Sequence, residues 1–104
     1  MNKILFFSLL YFAILPVNAE QASQDDLCNL FGNKAELVML KRQGEYPLSQ
    51  VLEEQNGYSP NFIAPFRKIV MMAYKEPAYR TKDNKLLAIK KFRNKVELMC
   101  FEEN

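Results

Sequence analysis

The chain has 104 residues, with 14 Lys and Arg against 12 Asp and Glu, and it contains neither His nor Trp. That length makes one domain and excludes multidomain enzymes, long repeat arrays and large cofactor folds. A net charge of +2 lacks the basic excess of a nucleic-acid binder, and the missing histidine removes the commonest general base and metal ligand.

In chain order, the first element reads as an export signal. Lys3 is the only charge before Glu20, Ile4 to Leu15 is an apolar run, and Pro16 breaks it. Val17-Asn18-Ala19 then gives small residues at −3 and −1, so cleavage is expected after Ala19. The mature chain is expected as one helical domain over residues 20–104, periplasmic or secreted, with 20–24 as a mobile leader. Cys28 follows Asp25-Asp26-Leu27 and so lacks the small-residue context of a lipid-attachment cysteine.

Helix 1 is expected from about Asp25 to Gln43, with Ser23 or Asp25 as N-cap and Gly44 as the C′ stop. Leu27, Phe31, Ala35 and Val38 recur at helical spacing, with Cys28 beside them. Leu30, Leu37 and Leu40 fall in a second sector of the same helix. The simpler expectation buries that flank against a second neighbouring helix. The functional one gives it to a partner protein, a second copy of the chain included.

A short helix 2 is expected from Pro47 or Ser49 to about Gln55, buried through Leu48, Val51 and Leu52. Asn56-Gly57 is a turn signal. Ser59-Pro60 opens helix 3, but Pro65 requires either a start near Ala64 or a kink. Phe66, Ile69, Val70 and Ala73 form its stripe, and Pro77 ends it. Helix 4 is expected from Thr81 or Asp83 to about Phe101, with Ile89, Phe92, Val96 and Met99 on its core face and Cys100 at the edge.

The fold class is therefore all-α, a small bundle of three to four helices. In an exported chain, Cys28 and Cys100 are expected as a disulfide between the first and last helices. A catalytic redox pair is typically close in sequence, and these lie far apart. Such a bond stabilises by about 4 kcal/mol in the chain-entropy model. It brings the two positions together directly in an up-down bundle, and a crossed helical arrangement is the alternative.

No catalytic constellation is visible, and neither a metal nor a cofactor is expected. The most informative segment outside the helices is Met72 to Arg80. Tyr74, Pro77, Tyr79 and Arg80 cluster there, and Arg42 in Arg42-Gln43-Gly44 is a similar case at the other loop. Tyr and Arg are favoured at binding hot spots, so these five residues form a candidate interaction surface beside the Leu30-Leu37-Leu40 flank. Their simpler role is to pack the loop and punctuate the chain.

Helix 4 carries Lys85, Lys90, Lys91, Arg93 and Lys95, with Leu87 and Leu98 opposite its core stripe, a pattern that also suits a membrane surface. A carboxylate hydrolase of cell-wall glycan, drawing on Glu36, Glu53, Glu54 and Glu97, is a third expectation. The first remains a non-catalytic protein that binds another macromolecule, as an inhibitor, immunity or accessory factor.

The arrangement of Cys28, Lys34-Ala35-Glu36, Arg42-Gln43-Gly44, Pro47-Leu48, Ala73-Tyr74, Pro77, Phe92 and Cys100 resembles a group of small exported proteins of Gram-negative bacteria and their phages. The resemblance runs from about residue 28 to residue 100. It implies export, helical content and the cysteine bridge. It carries no activity over.

Overall fold

The computed structural model describes residues 2–103, with side chains from Ser23 onward. The signal reading of residues 1–19 therefore concerns side chains outside the described set. Four α-helices and one 3₁₀ turn make up the fold: α1 (Asn2–Gln43), α2 (Leu48–Glu54), the turn Gln55–Gly57, α3 (Pro60–Tyr74) and α4 (Lys82–Glu103). No strand occurs among the described residues, and none of their helices is long and apolar enough to cross a membrane.

The expected start of helix 1 near Asp25 is not a boundary, because the backbone is helical from Asn2. Glu20, Gln21, Ala22 and Gln24 are good helix formers and carry the helix through the stretch read as a leader. The end of α1 also differs from expectation. Tyr46 N–H donates to Lys41 C=O and Glu45 N–H to Arg42 C=O, both at 3.0 Å, which is the paired pattern of a Schellman stop. Glu45, with φ of 60°, holds the left-handed position that Gly44 was expected to fill.

The chain then runs up, down, up and down. Lys41 pairs with Glu54 and Lys34 sits against Tyr58, so α2 and its turn lead back along α1. Phe31 meets Phe66 while Arg42 meets Tyr74, so α3 runs parallel to α1. Cys28 is joined to Cys100, and Lys85 bonds the Gln43 backbone, so α4 runs antiparallel to it. This is the up-down geometry, with α1 as the central helix.

α3 begins at Pro60, and Pro65 stands inside it. A proline there removes only the bond to Asn61 C=O, and Asn61 is exposed, so water can take the place of the lost donor. α4 starts at Lys82, within the expected range, and Asn84 N–H donates to Thr81 Oγ1 at 3.2 Å as an N-terminal cap.

The core joins Ala35, Val38 and Met39 of α1 to Val51 of α2, Phe66 and Val70 of α3, and Phe92 and Val96 of α4. Phe31, Phe62 and Phe66 add edge and stacked ring contacts at one end. Leu27, expected in the stripe, is exposed at its margin. Cys28 and Cys100 are both buried, with Cα atoms 5.5 Å apart.

Candidate functional site

The junction of α1 with the α3–α4 connection is built around Gln43, which is 2% exposed. Its Nε2 donates to Pro77 C=O at 2.9 Å, and its Oε1 accepts from Tyr79 N–H at 2.8 Å. One amide side chain thus closes two backbone bonds, as a neighbouring strand would. Lys85 Nζ donates to Gln43 C=O at 2.6 Å, and Arg42 Nε donates to Glu76 C=O at 2.9 Å. Arg42 also lies over the Tyr74 ring, 5.3 Å from its centroid, and Tyr74 OH donates to Tyr46 C=O at 2.6 Å. Burial raises the Tyr74 phenol above its ordinary value, against the opposing charges of Arg42 and Lys41.

The five residues grouped by the sequence are therefore divided by the fold. Arg42, Tyr74 and the Pro77 carbonyl are engaged inside the molecule. The side chains of Tyr79 and Arg80 face outward.

The leucine flank does not meet the simpler expectation. Leu30, Leu37 and Leu40 are 42%, 56% and 56% exposed, with no helix laid over them. The reason lies in the arrangement: α2 and α3 cover one side of α1 and α4 another, which leaves the sector between them open.

Beside that sector, Arg93 bridges α4 to α1. It donates to Asn33 Oδ1 and Asn29 Oδ1, both at 2.8 Å, and pairs with Glu97 on its own helix and with Glu36 at 3.1 Å. Partial burial works against its charge, and Glu36 and Glu97 outweigh it, raising the guanidinium above its ordinary value. Gly32 makes room for this network, since a Cβ there would run into the Glu97 side chain.

The four acids considered for hydrolysis do not gather at one cleft. Glu36 and Glu97 both turn onto Arg93, Glu54 onto Lys41, and Glu53 is exposed. Among the described residues no group of His, Cys, Asp or Glu is placed to hold a metal ion. The basic row of α4 is likewise divided. Lys85 and Arg93 bond α1, and Lys95 reaches Glu76 at 3.7 Å. Lys90 and Lys91 remain on the outer face with Leu87 and Leu98.

An apolar groove of about 210 Å³ lies between α3 and α4 near the disulfide, floored by Phe31 and walled by Ile69, Met72, Val96 and Met99. A smaller pocket lies on the α2 side, where Lys34 and Gln55 are buried.

No family model, curated protein or solved structure matches the chain.

Three polar residues that the sequence reading passed over are thus central to the structure: Gln43, Lys34 and Gln55. Position 43 is four residues after Met39 and eight after Ala35, so it lies on the core face by spacing alone. Lys34 is four before Val38, and Gln55 four after Val51. That register was the available signal. Side-chain polarity hid it.

Proposed function

We infer that this protein is a small exported binding protein without catalytic activity of its own, of the inhibitor, immunity or accessory type. It would engage another protein through the α1 leucine flank. The observation that carries the reading is the exposure of Leu30, Leu37 and Leu40 on the part of α1 whose opposite side is buried through Ala35, Val38 and Met39. Three large apolar side chains exposed in one sector of a small domain, around Asn33, are costly to leave in water and favour a partner. Export is supported by the signal-like N-terminus and by a disulfide, a bond that persists in oxidising compartments. Membership in a group of small exported Gram-negative proteins rests on the sequence resemblance described above.

The test uses the oxidised protein as bait for envelope extracts, with mild cross-linking and mass spectrometry. One stoichiometric protein should be retained and should be lost with Leu37→Glu or Leu40→Glu. Loss with Tyr79→Ala and Arg80→Ala instead would move the contact to the α3–α4 connection. Sedimentation of the protein alone separates pairing of two copies from capture of a different chain. If a folded sample retains nothing and does not self-associate, the protein-binding reading fails.

The second reading, attachment to a membrane surface through α4, draws on Leu87 and Leu98 lying exposed on the face of Lys90 and Lys91. Flotation with anionic liposomes at low salt tests it, because electrostatic attraction is strongest there. The arrangement of Glu36, Glu53, Glu54 and Glu97 gives the hydrolase reading no support.

A further inference from the structure

Between Cys28 and Gln43, the residues of α1 that stay exposed are Asn29, Leu30, Asn33, Leu37 and Leu40. Leu30, Asn33, Leu37 and Leu40 are spaced three, four and three apart. That is the a–d–a–d order of two heptads, the narrow seam of a coiled coil rather than the broader stripe of a helix buried in its own domain. Ser23 and Asp26 at the next such positions upstream, and Gly44 downstream, end it. Leu86 of α4 is also exposed, and it stands seven residues before Arg93, on the side of α4 from which Arg93 reaches Asn33.

The charges beside the seam say what it pairs with. With Leu30 as an a residue, Glu36 is a g residue and Lys41 is the e residue five positions on. In two parallel helices in register, g of one chain meets the following e of the other. Glu36 then meets the second copy's Lys41, twice by symmetry. An antiparallel pair sets g beside g and e beside e, which brings like charges together. Lys34, the other e residue, is turned in against the Tyr58 ring and takes no part. Glu36 already pairs with Arg93, and Lys41 with Glu54, yet their side chains are 47% and 33% exposed. A carboxylate accepts from several donors, and an ammonium carries three.

Asn33 fits the same arrangement. Its Oδ1 accepts from Arg93 at 2.8 Å, which identifies the other end of the amide as the donor. In register, Asn33 lies across from the second copy's Asn33, whose oxygen has a second lone pair for that donor. One polar residue in an apolar seam lowers affinity and fixes register and the number of chains.

We propose that the leucine flank is a two-heptad, parallel coiled-coil seam whose occupant is a second copy of this chain, with Glu36 of each copy against Lys41 of the other. The proposal rests on the reading of the flank as an interface and names what covers it. Two heptads make a short seam, so the dimer is expected to half-dissociate at about 100 µM.

Sedimentation equilibrium of the oxidised protein, from about 10 µM to about 1 mM, tests it. A monomer–dimer equilibrium with no larger species is expected, since a two-fold contact closes on itself. Leu37→Glu and Leu40→Glu, both at exposed positions, should each leave a folded monomer of near-native Tm. Glu36→Lys and Lys41→Glu should each weaken the dimer about fivefold at low salt, and the double variant should restore it. Asn33→Leu should tighten it about tenfold. A chain that stays monomeric at about 1 mM, or a dimer that survives both leucine changes, overturns the proposal. So do single charge reversals that leave the dimer unchanged, the result for antiparallel helices, where like charges meet in the native pair and in each variant. A double variant as weak as either single one overturns it too. A monomer that still captures a different envelope protein through Leu37 removes the second copy as occupant and leaves the flank reading standing. A monomer that captures nothing removes both.

Discussion

The two ends of the α1–α4 pair are closed by different chemistry. At one end Cys28 and Cys100 form a covalent bond across 72 positions of sequence. At the other, Gln43 holds Pro77 and Tyr79 by hydrogen bonds, and Lys85 returns one to the Gln43 backbone. The covalent closure acts largely by restricting the unfolded chain. The polar closure acts only in the folded state, where it satisfies backbone groups that the connection would otherwise leave unpaired. A small bundle with little core to spare thus fastens one end through the ensemble it leaves and the other through the one it reaches.

The sharpest way to break this comparison is to remove the covalent end. Cys28→Ser should cost about 4 kcal/mol, lowering Tm by more than about 15 °C for a domain of this size. The urea m-value should rise, because a chain without the bridge exposes more surface when unfolded. An unchanged m-value would mean that the bridge does not act on the unfolded chain. Gln43→Leu should cost about 2–3 kcal/mol, since Pro77 C=O and Tyr79 N–H lose a buried partner. Its m-value should stay at the native level, and a rise there would erase the distinction between the two ends.

Smaller changes sharpen the picture at the polar end. Glu45→Gly should stabilise by about 1 kcal/mol, because glycine adopts the left-handed conformation without the penalty that glutamate bears. A lower midpoint in denaturant would show that the Glu45 side chain earns its place in some other way. Tyr74→Phe should cost about 1 kcal/mol or less by removing the bond to Tyr46 C=O. The raised phenol adds a pH signature. In the native protein its contribution is complete below the ordinary tyrosine value near 10 and is lost as pH climbs through the raised value. Tyr74→Phe should flatten that alkaline loss, as followed by thermal melts between neutral and strongly alkaline pH.

Much of the fold was legible because α2, α3 and α4 carry unbroken apolar stripes bounded by strong punctuation. Val51, Phe66, Val70, Phe92 and Val96 are buried where periodicity places them. The bridge was legible from two cysteines in a chain read as exported. Three features were not. Glu45 takes the position expected of Gly44, because the α1 hydrogen-bond register runs one residue further than composition suggests. Pro60 and Pro65 both fit α3, because one sits where no donor is needed and the other costs a single exposed carbonyl its partner. The leucine flank looked like a second core face, since periodicity reports which side chains share a sector and not whether another element arrives to cover it.

Of the candidate surface, the sequence separated Tyr and Arg from the core by residue type alone. Whether each faces inward depends on backbone groups of the α3–α4 connection that no local pattern encodes. The register of Gln43 placed it on the core face, but its partners were not legible, being one carbonyl and one backbone N–H more than thirty residues away.

The burial of the bridge also bears on how readily it is made and broken. Cys28 has no solvent exposure and Cys100 very little. Thiol–disulfide exchange requires an attacking thiolate to reach a sulfur, and the packed helices hinder that approach at Cys28, while Cys100 borders the groove between α3 and α4. Oxidation should therefore be easier before α4 closes onto α1 than after it. Once that closure is made, the chain carries its oxidation state as a record of where it folded, one that a thiol buffer should rewrite slowly.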